Sequence, residues 1–322
     1  MIQVNHLKTW FKTDEGMVKA VDDISFTLNQ TEVLALVGES GCGKSVTVLT
    51  LMGLVKSPPA KIEGEILYKG RNLRCLSKEE YRHMRGKEFG MIFQEPMSSF
   101  DPLYTIGDQM IEALRVHYPV SESEAKKQSI EMLQKVGIPE AKRRIEEYPH
   151  QMSGGMLQRV MIALTLSLEP KILIADEPST ALDVTIQAQV LSLMKKLQKE
   201  TGTSILFITH DLGVVAEVAD RIHVMYAGWI VEKATVFDLF KRPLHPYTQG
   251  LLKSRVQREY KGKTLPFISG YVPRAYEFPE GCRFHPRCPK VMEICPKTAP
   301  PAFEPLSGRE VKCWLYEKGD IQ

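Results

Sequence analysis

The chain has 322 residues, 43% of them hydrophobic and 25% charged, the usage of an ordinary soluble globular protein. Forty-two basic against 39 acidic residues leave +3, too small an excess for a dedicated nucleic-acid binder. No window reaches the roughly eighteen consecutive apolar residues of a membrane-spanning helix, and the N-terminus lacks the charged, apolar and small-residue regions of a secretory signal. The expectation is a cytosolic chain whose membrane role, if any, is peripheral.

Short β-branched runs alternate with helical patterns over the first 250 residues, which reads as α/β. Strands are predicted at Glu32 to Val37, Phe89 to Phe93, Ile172 to Ala175, Ser204 to Thr209 and Arg221 to Tyr226. The stretch Val120 to Val136 is amphipathic and lies where strand signals are sparse, so residues 95 to 165 read as a helical subdomain. From Val184 to Glu200, Ile186, Val190, Leu193 and Leu197 share one helical face, and Gly202 closes the helix. Beyond residue 254 prolines become frequent and periodicity fades, giving a domain at 1–254 followed by a linker and small loop-rich extension at 255–322. The loop-rich part is a module of about forty residues, a size that seldom holds together by apolar burial alone, and a metal is one common remedy.

The strongest local signal is Gly38-Glu39-Ser40-Gly41-Cys42-Gly43-Lys44-Ser45, a G-x4-G-K-S phosphate loop between an apolar strand and the helix of Val48, Leu51 and Met52. Its glycines let backbone N–H groups wrap phosphates, and the helix N-terminus adds favourable dipole charge. Lys44 is expected on the β- and γ-phosphates and the Ser45 hydroxyl on Mg²⁺. A second element, Ile172 to Glu177, is an apolar strand that delivers two carboxylates. Asp176 suits the Mg²⁺ shell and Glu177 can polarise an attacking water. A strand ending in Asp-Glu is common by itself and gains meaning from the phosphate loop.

Between the two lies Met152-Ser153-Gly154-Gly155-Met156. With the elements above, it resembles the ATP-binding subunits of ABC transporters, whose signature reads Leu-Ser-Gly-Gly-Gln. Gln94 in Phe93-Gln94-Glu95-Pro96 resembles the Q-loop glutamine. Thr180-Ala181-Leu182-Asp183 resembles the D-loop, and His210 resembles the switch histidine. The resemblance implies a phosphate-loop NTPase of ABC type that binds ATP and Mg²⁺. Gly38, Ser40, Gly41, Cys42, Gly43, Lys44, Ser45 and Val46 would line the nucleotide, with Gln94 and Asp176 at the metal. Glu177 and His210 would be catalytic, and Ser153, Gly154 and Gly155 would cradle the nucleotide of an opposite subunit. Phe11 is expected to stack on adenine, with Trp10 the alternative. Met156 stands at the usual glutamine and Val46 at a common threonine; neither is read as inactivating. Cys42, where serine is commoner, reads as a loop spacer.

Six cysteines occur, and Cys282, Cys288, Cys295 and Cys313 follow a C-x5-C-x6-C-x17-C spacing. Four thiolates in a turn-rich segment can close a zinc site or hold an iron–sulfur cluster, and free or oxidised thiols are the remaining alternative. With His245-Pro246-Tyr247-Thr248 upstream, the tail resembles the extension of oligopeptide and dipeptide importer ATPases, which implies a [4Fe–4S] cluster. His285, inside the segment, reads as a surface residue. The same resemblance implies two integral membrane permease subunits, a second ATP-binding subunit (a paralogue), an extracytoplasmic substrate-binding protein and no nucleic acid. It places the chain on the cytoplasmic face of the cell membrane. Alternatives are a nickel, metal-chelate or glutathione importer of the same subfamily, or a soluble ABC ATPase acting on DNA or ribosomes.

Overall fold

The computed structural model describes residues 1–178, 182–254 and 267–318. The first half runs β1 (Ile2–Thr13), β2 (Gly16–Leu28), β3 (Val33–Val37), α1 (Lys44–Leu51), β4 (Ala60–Tyr68), β5 (Arg71–Asn72), α2 (Lys78–Met84), β6 (Phe89–Ile92), α3 (Ile106–His117), α4 (Glu122–Lys135), α5 (Ala141–Arg144) and α6 (Gly154–Ser167). There follow β7 (Ile172–Asp176), α7 (Val184–Thr201), β8 (Ser204–Thr209), α8 (Leu212–Val218), β9 (Arg221–Tyr226), β10 (Trp229–Thr235), α9 (Val236–Lys241), α10 (Pro246–Lys253), β11 (Phe303–Leu306) and β12 (Arg309–Val311).

The chain forms two compact units: residues 1–27, 33–75 and 209–322, and residues 28–32 and 76–208. In the first, β2-β1-β4-β5 make one sheet, with β1 and β4 antiparallel. A second sheet pairs β3 parallel to β9, then adds β10, β12 and β11 antiparallel. In the second unit β6, β7 and β8 are parallel neighbours. Every residue of β3, β6, β7 and β8 is buried. That is why these strands read as unbroken apolar runs rather than alternating ones.

Helices α3 to α6 fill the chain between β6 and β7. Thr105 and Asp108 form a capping box at the start of α3, each side chain meeting the other's backbone N–H. At α7, Asp183 accepts the N–H groups of Thr185 and Ile186, and Gly202 ends the helix in the left-handed region. The tail beyond 267 belongs to the same compact unit as the phosphate loop, and not to a unit of its own. Glu232↔Val311 and Lys233↔Glu310 carry β12 along β10, so the extension continues the β3–β9 sheet. The sequence division at residue 254 therefore does not coincide with a boundary between compact units.

Candidate nucleotide site and cysteine centre

In the first unit, β3 runs directly into the glycine loop. Gly43 precedes α1 in a left-handed conformation (φ 105°), and a Cβ added there would lie 2.2 Å from the Ala20 carbonyl oxygen in β2. The Thr47 N–H and hydroxyl both donate to the Gly43 carbonyl, closing the first turn. Lys44 is buried, its Nζ donating to the carbonyls of Gly38 (2.7 Å) and Glu39 (3.0 Å). The ammonium is thus held inside the loop. Ser45 and Val46 are half-buried on the first turn and Ser40 is exposed. Cys42 is fully buried, and burial pushes its thiol pKa up despite nearby Lys44, the behaviour of a packing residue rather than a reactive thiol.

His210, just after β8, lines a cleft of about 540 Å³ with Gly38, Glu39 and Leu251. Thr9 of β1 is buried and its hydroxyl lies 3.0 Å from that of Thr50 in α1. Phe11 shares the Thr9 face of the strand and Trp10 the opposite one. The Trp10 indole donates to Asp22 and stands among Lys8, Lys19 and Lys61.

The second unit holds the carboxylates. Asp176 ends β7 with 4% exposure, and Glu177 follows at φ 48°, a left-handed conformation unusual for glutamate. The Glu177 N–H donates to the Ile208 carbonyl. Gln94 Nε2 donates to Glu177 Oε2 at 3.4 Å, so these two predicted site residues meet. Ser153 caps α6, accepting the Met156 N–H. Gly154 and Gly155 form its first turn, and a Cβ on Gly154 would meet nothing within 4 Å. The buried Gln158 ties this helix to the carboxylate strand, donating to the Pro178 carbonyl at 3.0 Å. Of the predicted D-loop, Thr180 and Ala181 lie outside the described residues, and Asp183 is the α7 cap.

The four tail cysteines are not joined in disulfides; Cys282, Cys295 and Cys313 are buried and Cys288 half-buried. Burial, then the other thiols, push Cys313 up to about 12; burial likewise lifts Cys282 to about 11 and raises Cys288. Two of the sulfurs accept backbone N–H groups. Lys290 donates to Cys288 Sγ and Met292 to Cys295 Sγ, both at 3.4 Å. The His285 N–H donates to the Cys282 carbonyl at 2.9 Å. His285 Nδ1 is engaged with the Cys282 carbonyl. Among the described residues, no group of three or more His, Cys, Asp or Glu side chains is arranged to hold a metal ion.

A contact that sequence reasoning did not single out ties the tail to the phosphate loop. Arg287 makes a forked ion pair with Glu39, Nη1 to Oε2 at 2.8 Å and Nη2 to Oε1 at 3.0 Å. Burial works against the guanidinium charge, but the hydrogen bonds and charges of Glu39 and Tyr226 outweigh it and raise its pKa. The buried Tyr247 hydroxyl accepts the Glu39 N–H. Only the charge of Glu39 inside an anion-binding loop could have flagged such a partner.

A strand, glycine loop and helix of phosphate-binding form and, separately, a carboxylate-tipped strand with its glutamine are the parts of a phosphate-loop ATPase. The "ABC transporter" family matches residues 21–180, and "Oligopeptide/dipeptide transporter, C-terminal region" matches residues 231–295. The oligopeptide transport ATP-binding protein AppD of Bacillus subtilis (strain 168) is 52% identical over 319 residues, covering 99% of this chain and 97% of that protein. The dipeptide transport ATP-binding protein DppD of the same organism is 48% identical, with 99% and 95% covered. Among solved structures, the ATP-binding cassette MJ0796, dimeric and bound to ADP and Pi, superposes with a TM-score of 0.68 at 28% identity, covering 73% of this chain and 99% of that one. The chain belongs to the ATP-binding subunits of ABC transporters, in the branch that carries the oligopeptide/dipeptide C-terminal region.

Proposed function

We propose that this ATPase is the energy-coupling subunit of a peptide importer. The observation that carries this reading is the near full-length match, tail included, to ATP-binding proteins of oligopeptide and dipeptide transport. No described helix is long and apolar enough to cross a membrane, so translocation falls to other chains. Two permease subunits, an extracytoplasmic binding protein and a paralogous second ATPase complete the assembly, with this chain peripheral on the cytoplasmic face of the membrane.

Each residue's role follows from its chemistry. The loop amides and Lys44 bind the triphosphate. Ser45, Gln94 and Asp176 offer the hard oxygen donors that suit Mg²⁺, which when bound neutralises charge on the β- and γ-phosphates. Glu177, held in a strained conformation with Gln94 against it, takes the proton of the attacking water. His210 hydrogen-bonds the γ-phosphate. Phe11 stacks on adenine, supported by its place on the Thr9 face that meets α1. The open surface over Gly154 supports a role for Ser153 to Gly155 on the nucleotide of a second subunit. ATP closes that dimer because it binds the closed state better than the open one.

The cysteine centre would hold a [4Fe–4S] cluster through Cys282, Cys288, Cys295 and Cys313 as a structural staple. Amide donors at Cys288 and Cys295 support it, since they stabilise thiolates. A single zinc would draw four thiolates to about 3.8 Å from one another, from a Zn–S bond near 2.3 Å; a cluster of four irons accepts a wider set. Anaerobically purified protein should be brown with about four irons per chain; colourless protein with one zinc refutes the cluster.

The importer reading is tested by mild-detergent purification of the tagged chain from native membranes, with partners identified by mass spectrometry. Two multi-spanning subunits and a second ATPase are expected. Recovery from soluble fractions alone, with ribosomal or DNA-processing partners, refutes it.

A further inference from the structure

The phosphate loop contains one acid, Glu39, in a site built to receive a polyanion. An ionised carboxylate there opposes the triphosphate unless it is neutralised and held aside. The structure holds Glu39 at three points. Its N–H is taken by the Tyr247 hydroxyl at 2.9 Å and its carbonyl by Lys44 Nζ at 3.0 Å. Its carboxylate is taken by both terminal nitrogens of Arg287, the geometry in which guanidinium and carboxylate bind most strongly.

Arg287 is itself fixed. Its side chain is 5% exposed, its Nε donates to the Ser269 carbonyl at 3.0 Å, and its guanidinium lies 5.7 Å from the Tyr226 ring centre. It sits beside Cys288, in the loop that starts at Cys282, so the residue neutralising the phosphate loop is supplied by the cysteine-bearing tail. Glu39 remains 31% exposed and lines the cleft shared with Gly38 and His210. Without Arg287 the carboxylate would be free to turn into that cleft.

We propose that Arg287 is a positioning residue for ATP binding: it cancels the charge of Glu39 and pins its carboxylate away from the phosphates, making nucleotide affinity depend on the C-terminal extension. The inference rests on the phosphate loop being the ATP site, and Lys44→Ala tests that separately. A Lys44→Ala chain that still binds ATP refutes the site; one that loses ATP leaves the Arg287 question to be decided by its own variants.

The test titrates the full-length protein with a fluorescent ATP analogue. Arg287→Gln keeps most of the packed stem and removes the charge. It should raise Kd about tenfold, the equivalent of about 1.4 kcal/mol. Placed on a Glu39→Gln background, the same change should cost less than about threefold, because no carboxylate is left to neutralise. Arg287→Lys, which keeps the charge, should stay within about threefold of the parent. The tenfold loss should also shrink between about 50 mM and 500 mM salt, as a screened repulsion must. An equal loss on both backgrounds, a loss indifferent to salt, or no loss at all overturns the proposal, the first two by making Arg287 a packing residue only.

Discussion

Gly43→Ala tests the geometry of the phosphate loop more sharply than removal of a charged side chain. At φ 105° an alanine is strained, at a cost of about 1–3 kcal/mol. Its Cβ would sit 2.2 Å from the Ala20 carbonyl oxygen and 3.3 Å from Met225 Cε. The first neighbour is backbone in the middle of β2 and cannot rotate away, so loop or strand must move by about 1 Å, adding an overpacking cost of about 1–3 kcal/mol. Together these put the destabilisation at about 2–6 kcal/mol. A shift of about 1 Å in the amides that wrap the phosphates should weaken ATP binding about a hundredfold. Gly41→Ala is the control: it is also left-handed (φ 79°) but a Cβ there meets nothing within 4 Å, so only the strain applies. Urea unfolding and ATP titration of both variants give the comparison. Gly43→Ala behaving like Gly41→Ala would refute the close approach of Ala20 to the loop.

Glu177→Gln should retain ATP binding and slow hydrolysis by about 10²–10⁴-fold; normal turnover in a phosphate-release assay would remove Glu177 from catalysis. Glu232 is fully buried and accepts the N–H groups of Leu244 and His245, both at 2.9 Å, with Arg309 at 3.3 Å. Arg309→Ala strands that carboxylate and should cost about 3–5 kcal/mol in urea unfolding, most of it recovered by adding Glu232→Gln; an unchanged midpoint contradicts the pair. His245 is buried, and burial depresses its pKa to about 3 from 6.5. The folded protein therefore binds fewer protons than the unfolded chain in that window, and stability falls as pH drops below 6.5. From pH 7 to pH 5 the loss from His245 is about 2 kcal/mol. The buried His223 acts in the same sense. A pH slope that His245→Asn leaves unaltered contradicts this.

The nucleotide motifs were legible because each is local. An apolar strand, a glycine loop and a helix start lie within twenty residues, and the predicted strands at Ser204 and Arg221 have the observed bounds. Gly202 ends α7 as its position predicts. What escaped was long-range. Strands β11 and β12 are four and three residues long, with Pro305 inside the first, and leave no alternation to read. Arg287 and Glu39 are 248 positions apart, and Arg309 and Glu232 are 77 apart. Such partners carry no mark in the local pattern, and the composition of the tail suggests an appendage where the structure builds a sheet edge. Phe11 shares the strand face of Thr9, which meets α1, and Trp10 takes the opposite one, a division set by the strand and not by the aromatic pair itself.

The central claim is that ATP hydrolysis at Glu177 drives peptide uptake. The direct measurement is entry of a labelled peptide into cells whose only copy of this subunit is either unaltered or Glu177→Gln, with both proteins present at equal levels on the membrane. The account predicts uptake in the first and background in the second. Equal uptake in both would contradict it.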